Sequence, residues 1–291
     1  MRWSATELYD RASKVTSRLQ DDSSLFRRFR EKYQLDDLEF WLVTRFRFFP
    51  ASVTPNDFLS LGPYTSVSKY QRALGTLTEK MLVERPGAGR YRLTDAGRKS
   101  IGDTYSDYFA RVARLSYLPD DDVEALYRLA DRTYLRALRQ SDVPVTLMSA
   151  AHSVLPDIDS TWVQLERRMV GLAIYRDDSH IAAWREAGYT GPRIELSTAL
   201  FRAENGLTYD ELRAAAARLD DQDFLSALSA LHSGGEATQR GERYRLTPAG
   251  HGVRQAIKDA TDRNYARPFV ALGEDLDYMI ELLDRLIAAP A

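Results

Sequence analysis

The chain has 291 residues, of which 44% are apolar and 28% charged, and this composition excludes collagen-like, low-complexity and largely disordered proteins. It contains no cysteine, which excludes a disulfide scaffold, a thiolate metal site and a cysteine nucleophile. The 40 basic and 42 acidic residues give a net charge of −2, which argues against a strongly basic nucleic-acid coat protein. The longest uncharged stretch, residues 143–156, is too short to cross a bilayer, so we expect a cytoplasmic protein without membrane contact.

The charge is unevenly distributed along the chain. The first half, residues 1–139, carries 24 Lys and Arg against 19 Asp and Glu, a net charge of +5. The second half, residues 140–291, carries 16 against 23, a net charge of −7. The two halves therefore differ in sign, which favours different partners for each.

Helices are predicted near residues 5–20 and within the aromatic-rich segment 26–49. One stripe of this segment is apolar except for Arg45, and it consists of Leu38, Trp41, Leu42, Arg45, Phe46 and Phe49. A buried cation needs a partner. We therefore expect Arg45 either to pair with a carboxylate or to line a ligand pocket, and the candidate carboxylates are those of Asp21, Asp22 and Asp36.

The next segment predicts two consecutive helices. Thr54 caps the first, Pro55 suits its first position, and Gly62-Pro63 ends it. The second runs from 66 to 80, because apolar residues recur there every three or four positions. We expect five of them to face a core, namely Val67, Tyr70, Leu74, Leu77 and Met81.

A two-stranded hairpin follows, with strands 82–85 and 90–93 around a Pro-Gly-Ala-Gly turn. Thr94 then caps another helix. Further helices near residues 105–138 complete the first half.

The second half predicts the same order of elements. A helix near residues 158–174 comes first, Thr208 with Glu211 indicates a capping box, and Thr247-Pro248 begins a helix after a second hairpin. Helices near 256–288 end the chain, so the predicted protein is mainly α with small β-hairpin wings.

A repeated heptapeptide indicates that the chain is duplicated. Residues 91–97, Tyr-Arg-Leu-Thr-Asp-Ala-Gly, recur as Tyr-Arg-Leu-Thr-Pro-Ala-Gly at 244–250. Other segments match at offsets of 153 to 156 positions. We therefore expect two tandem copies, residues 1–139 and residues 140–291.

Helix, turn, helix and a two-stranded wing, in that order, form a winged helix-turn-helix. Residues 53–98 resemble the MarR-type transcriptional regulators in the helix at 66–80, the Arg-bearing wing at 85–92 and the Leu-Thr-Asp-Ala-Gly sequence at 93–97; residues 207–250 resemble them more weakly. The resemblance implies a recognition helix for the major groove and a two-fold dimer held by its terminal helices. In this chain it implies an intrachain pseudo-dimer, acting as a monomer or as a homodimer of such chains.

The resemblance implies double-stranded DNA as the partner, and the polar face of the helix at 66–80 suits that role. Lys69, Arg72 and Thr76 lie opposite the apolar stripe. The candidate DNA contacts are Ser68, Lys69, Gln71 and Arg72 on this helix and Arg85, Arg90 and Arg92 in the wing. The alternative is that this face is an ordinary solvated surface.

The second copy is a poor candidate for DNA binding. Residues 217–247 contain four arginines against five acidic residues. Three of these, Asp220, Asp221 and Asp223, stand at the start of the second recognition-helix equivalent, where they repel phosphate or complement the helix dipole.

The resemblance also implies a response to a small aromatic or acidic ligand. Its candidate contacts lie in the aromatic-rich segment and are Phe29, Trp41, Arg45, Phe46 and Phe49. Position 199, which corresponds to Arg45 at an offset of 154, is alanine, so the fold itself does not require the arginine.

Sequence motifs for other chemistry are absent. The four histidines lack metal-ligand spacing, and no HExxH, GxSxG, P-loop or GxGxxG pattern occurs. We expect no metal and no cofactor, and the lack of these motifs favours a protein that is not an enzyme. Two alternatives stay open: a winged-helix scaffold that lost DNA binding and became a small-molecule-binding protein or an enzyme with an interdomain or aromatic pocket, and an interaction module whose acidic copy meets a basic protein.

Overall fold

The computed structural model describes residues 3–21, 24–49, 51–154 and 158–290, and in these ranges the protein is mainly helical with two small antiparallel sheets. The helices are α1 (Ala5–Asp21), α2 (Ser24–Lys32), α3 (Asp37–Arg45), α4 (Val67–Glu79), α5 (Asp95–Val112), α6 (Asp120–Leu138), α7 (Thr146–His152), α8 (Thr161–Glu186), α9 (Gly191–Arg202), α10 (Tyr209–Ala215), α11 (Asp221–Ser233), α12 (Pro248–Val270) and α13 (Asp275–Ala288). The strands are β1 (Val83–Gly87), β2 (Arg90–Leu93), β3 (Leu207–Thr208), β4 (Ala237–Arg240) and β5 (Arg243–Leu246).

A central helical core joins both halves of the chain. Helices α1, α5 and α6 of the first half pack there against α8, α12 and α13 of the second. The approach of α8 to α6 depends on Gly171, because a Cβ at this position would lie 2.1 Å from the ring of Tyr134. The halves thus share one core.

The first half has a second core beside the hairpin of β1 and β2. One face of α4 supplies Tyr70, Leu74 and Leu77, all nearly without solvent exposure. The prediction that Met81 belongs to this core is wrong. Helix α4 ends at Glu79, and Met81 adopts a φ of 57° that leaves its side chain 76% exposed.

The hairpin and the helix after it have the predicted connections. Strands β1 and β2 pair antiparallel, and Val53 bridges to Tyr91 on the free side of β2. Thr94 caps α5, since its hydroxyl oxygen accepts from the Gly97 N–H at 2.9 Å and its hydroxyl donates to the Met81 carbonyl at 2.8 Å.

The second half has a third core next to a three-stranded sheet in the order β3, β5, β4. Thr208 and Glu211 form the predicted capping box of α10. Thr247 caps α12, because its hydroxyl oxygen accepts from the Gly250 N–H at 3.1 Å and its hydroxyl donates to the Gly235 carbonyl at 2.7 Å.

Several predicted helix bounds differ from the structure. The segment after Thr54 is a 3-10 helix, Pro55–Ser60, and not an α-helix. The predicted helical stretch 105–138 divides into α5 and α6 before Pro119, and the stretch 256–288 divides into α12 and α13 near Gly273, whose φ is 62°. Conversely, the helix expected at 158–174 continues to Glu186.

Candidate functional site

Helix α4 presents a polar face opposite its buried stripe. Ser68, Gln71 and Arg72 are exposed, and Lys69 is half-buried. Thr76 is half-buried, and its hydroxyl donates to the Arg72 carbonyl oxygen at 3.4 Å. The structure thus brings the four predicted α4 residues together on one surface.

The wing, the hairpin of β1 and β2, carries three exposed arginines. Arg85 lies over a tyrosine ring of β2, 5.1 Å from its centroid. Arg90 donates to the Ser52 hydroxyl at 2.8 Å, and Arg92 forms an ion pair with Glu84 at 2.5 Å. Ion pairs this exposed contribute little free energy, so these cations remain able to bind phosphate.

The amino end of α4 is not free, because the start of α11 contacts it. The Ser66 N–H donates to the Arg218 carbonyl at 3.1 Å, and the Ser66 hydroxyl accepts from the Asp220 N–H at 2.9 Å and donates to the Asp223 carboxylate. The Ser68 hydroxyl donates to the Asp220 carboxylate. We call these five residues the interhelix contact.

Hydrogen bonds within α11 and from α4 lower the pKa of Asp220. The largest cause is the hydrogen bond from the Asp223 N–H within α11, and the next is that from the Ser68 hydroxyl. Lys69 lowers this pKa further through its charge. A second-half carboxylate therefore compensates part of the positive charge on the face of α4.

Aromatic side chains of the two halves also pack together near the interhelix contact. Tyr64 stacks on His180 with ring centroids 6.4 Å apart and meets the Trp184 ring edge-on. Its hydroxyl oxygen accepts from the Trp184 indole N–H at 3.3 Å. A Cβ at Gly191 would lie 1.7 Å from the Pro63 carbonyl oxygen, so the backbones of the two halves touch here.

The corresponding helix of the second half lacks these cations, although its wing keeps Arg240, Arg243 and Arg245. Helix α11 contains no lysine or arginine, and its exposed side chains include Asp221, Gln222 and Leu225. In its wing, Arg243 lies 3.3 Å from the Glu211 carboxylate. The predicted contrast between the two helices is thus present at their surfaces.

The five predicted ligand contacts do not form one site. Phe29 and Phe46 are each 4% exposed and belong to the first-half core. Phe49 packs against Phe58 in that core, and Trp41 stacks on Tyr70 at 5.8 Å. Only Arg45 reaches the large cavity described next.

A cavity of about 1010 Å³ lies between the aromatic-rich segment and the central core. Residues of helices α1, α2, α3, α5 and α8 line it, so both halves contribute. Its ionisable lining is mostly cationic and comprises Arg27, Arg45, Arg47, Arg111, Arg167 and Asp177 together with Tyr9, Tyr105 and Tyr108. Phenylalanine rings line it as well.

Two of these arginines have no ion pair with any described carboxylate. Arg45 donates to the Thr44 hydroxyl at 2.9 Å, and Arg47 lies 4.2 Å from the centroid of the Tyr105 ring. The Arg47 Nε is buried without a hydrogen-bond partner among the described residues. Burial lowers the pKa of both groups, as expected for cations with incomplete compensation.

The carboxylates expected to pair with Arg45 do so in none of the described contacts. Asp36 instead caps α3, accepting from the Glu39 N–H at 2.8 Å. Asp22 lies outside the described residues, as does the Asp21 side chain. Enclosure by the protein raises the pKa of Asp177, whereas Arg176 and then Arg45 lower it, so the carboxylate that Arg45 senses comes from the second half.

A third cavity arginine is fully compensated. Arg167 forms an ion pair with Glu166, which also accepts from the Tyr108 hydroxyl at 2.7 Å. Sequence reasoning missed Arg167 and Asp177 because α8 brings them from the second half. Arg47 had a sequence signal, since it alternates with aromatic residues from 45 to 48.

The described ranges contain no cluster of three His, Asp or Glu side chains suited to a metal ion. Within the same ranges, no helix combines the length and apolar content needed to cross a bilayer.

The model of a helix-turn-helix family matches residues 93–291, which is more than half of the chain. The chain belongs to this helix-turn-helix family. Family membership suggests a DNA-binding regulatory role in general terms. No curated protein and no solved structure matches the chain.

The family match of this helix-turn-helix protein begins at Leu93, the last residue of β2. It covers α10, α11 and the three-stranded sheet, but not α4. The cationic face of α4 is therefore a feature of this chain that the family match leaves unassigned.

Proposed function

We propose that this helix-turn-helix protein is a DNA-binding transcriptional regulator of MarR-like winged-helix type, built as an intrachain pseudo-dimer of residues 1–139 and 140–291. Matching contacts at an offset of 153 to 154 support the duplication. The bridge of Val53 to Tyr91 corresponds to the pairing of Leu207 with Tyr244. The caps formed by Thr94 and by Thr247 use corresponding donors and acceptors.

The observation that carries the DNA-binding proposal is the exposed cationic surface of α4 and its wing. Arg72, Arg85, Arg90 and Arg92 are all exposed on one helix-turn-helix and wing. Duplex recognition requires such cations for phosphates and a protruding helix for base edges. In this proposal Gln71 and Arg72 contact bases, while the wing arginines contact phosphate or the minor groove.

Retention of genomic DNA fragments tests this proposal. We expect the wild-type chain to retain specific fragments and the variant Lys69→Ala/Arg72→Ala to lose them while its circular dichroism spectrum is unchanged. The matched control removes two exposed cations from the other wing, in Arg240→Ala/Arg245→Ala, and should retain them. Equal retention by all three proteins would contradict the assignment.

We also propose that the cationic cavity binds a small aromatic or acidic ligand. Arg45 and Arg47 offer guanidinium groups that form no ion pair with any described carboxylate, and the surrounding rings suit a planar organic body. Buried cations are costly in free energy unless they are compensated. An organic anion would supply that compensation.

Calorimetric titration with 2-naphthoate tests the cavity proposal. We expect binding to the wild-type protein and none to Arg45→Ala/Arg47→Ala. The uncharged analogue 2-naphthalenemethanol is the matched control and should bind at least about tenfold more weakly, because one charge-assisted hydrogen bond is lost. Equal binding of both compounds would contradict an anion site.

A second candidate function has one specific observation in its favour. The interhelix contact occupies the amino end of α4, and Lys69 lines a cleft between the halves together with Trp41 and Arg218. This arrangement also fits a small-molecule-binding scaffold without DNA affinity. Such a scaffold would bind 2-naphthoate and retain no genomic DNA.

A further inference from the structure

The interhelix contact lies where a helix-turn-helix protein meets its operator. The amino-terminal residues of the recognition helix contact base edges in this class of proteins. In this chain Ser66 and Ser68, at the start of α4, instead contact Asp220 and Asp223 of α11. If α4 is the recognition helix, DNA would meet the same end of α4 that α11 contacts here.

The hydrogen bonds show that this end of α4 is directed towards the second half. Ser66 is the N-cap residue of α4, yet its side chain makes no capping bond within its own helix. Its hydroxyl bonds to Asp220 and Asp223 instead. At α11, by contrast, the N-cap Asp220 does cap its own helix, accepting from the Asp223 N–H at 2.9 Å.

The charges have the arrangement of a protein–phosphate contact. The amino end of a helix carries a partial positive charge, and anions are stabilised there. The Asp220 carboxylate accepts from Ser68 and lies close enough to Lys69 for the cation to lower its pKa. A second-half carboxylate thus occupies a position suited to a DNA phosphate.

We propose that the interhelix contact is autoinhibitory, and this inference rests on the proposed DNA-binding function. In the closed form, Asp220 and Asp223 cover the amino end of α4, and DNA binds only after α4 and α11 separate. The packing of Tyr64 against Trp184 and His180 adds to closure. The apparent DNA affinity is then the intrinsic affinity reduced by the fraction of open molecules.

A reversible crosslink tests the proposal in the full chain. The protein has no cysteine, so Ser66→Cys/Asp223→Cys introduces a single pair at a hydrogen-bonded position. We expect the oxidised protein to lose DNA retention and reduction to restore it. Equal DNA binding before and after reduction, with the disulfide verified by mass, would overturn the proposal. If oxidation gives no disulfide, a bifunctional maleimide applied to the same pair gives the locked form.

A charge-matched pair of variants tests the autoinhibitory proposal by weakening the interhelix contact instead of locking it. Asp220→Asn/Asp223→Asn removes two charges from the contact, and asparagine at position 220 still serves as an N-cap. Asp210→Asn/Asp221→Asn removes two exposed charges nearby, and the described ion pair of Asp221 is with Arg213 of α10. We expect the first variant to bind DNA about three- to tenfold more tightly than the second. Equal affinities would contradict autoinhibition.

The outcomes separate this inference from the proposed function. If no form retains DNA, including the reduced crosslink variant and Asp220→Asn/Asp223→Asn, then the DNA-binding function itself is wrong. If all forms retain DNA equally, the function stands and the autoinhibitory contact is wrong. Only a difference between locked and open forms supports both.

Discussion

Helices α4 and α11 keep the same buried face and differ in what they expose. At an offset of 154, Tyr70 corresponds to Phe224 and Leu74 to Leu228, and all four are buried. The exposed and contact positions diverge, since aspartate stands at 223 where the first helix has Lys69. The fold therefore constrains the buried face of these helices, whereas their exposed faces can differ in charge and in partner.

The same comparison explains the interhelix contact. Two helices with equal cationic faces would repel each other at their amino ends. Asp223 stands where the first helix has Lys69 and Asp220 where it has Ser66, so the two amino ends meet through hydrogen bonds and charge compensation. The acidic half is therefore a partner for the basic half in this structure.

A large loss of stability is expected when either wing is displaced from the helix that follows it. Gly97 and Gly250 lie under their hairpins, where a Cβ would come within 2.3 Å of the Leu82 carbonyl oxygen and 2.1 Å of the Glu236 carbonyl oxygen. We expect Gly97→Ala and Gly250→Ala each to lower the free energy of unfolding by about 1–3 kcal/mol, because backbone must move. Urea denaturation measures this.

The two glycine variants also distinguish the roles of the two wings in DNA binding. At a temperature where both fold, Gly97→Ala should weaken DNA binding because it displaces the cationic wing, whereas Gly250→Ala should leave it within about twofold, a change of roughly 0.4 kcal/mol. The reverse order would mean that the second wing carries the DNA contact.

A smaller effect is expected where Arg45 is changed to the residue of the second half. Arg45→Ala should alter the free energy of unfolding by less than about 1 kcal/mol, because it removes a poorly compensated cation. Arg167→Ala is the control, and it should cost about 3–5 kcal/mol because it leaves Glu166 buried without its ion pair. If Arg45→Ala were as destabilising as the control, Arg45 would be a structural residue.

The smallest effect is the pH dependence of the stability that the Asp220 carboxylate contributes through its hydrogen bonds. Hydrogen bonds lower the pKa of Asp220 below 3.8, so its contribution to stability is complete above that value and is lost as the pH falls through the folded-state pKa. Acid unfolding of Asp220→Asn should lack this component. Identical acid-unfolding curves for the variant and the wild type would show that the Asp220 carboxylate charge adds nothing to the stability of the fold.

Most of the local structure could be predicted from sequence, because it depends on short-range signals. Thr94 and Thr247 cap their helices as the heptapeptide pattern predicts. Met81 shows the limit of periodicity, since the apolar spacing continues past the point where the backbone turns. Helix bounds that depend on tertiary packing, such as the extension of α8 to Glu186, had no local signal.

The candidate sites were less predictable, because they combine distant segments. Arg45 could be singled out as a cation on an apolar stripe, but Asp177 and Arg167 reach its cavity from α8. Phe29 and Phe46 looked like ligand contacts only because aromatic residues serve both cores and pockets. The contact of Ser66 with Asp223 spans 157 positions, and no spacing rule connects them.

Hydrogen exchange with and without a retained DNA fragment tests whether α4 and the first wing bind the DNA. We expect new protection in the middle of α4 and in the first wing, residues 83–93, and none in the second wing, residues 237–246. We also expect faster exchange at the amino end of α11 as the interhelix contact opens. Protection confined to α11 and the second wing would show that the second half binds the DNA and α4 does not.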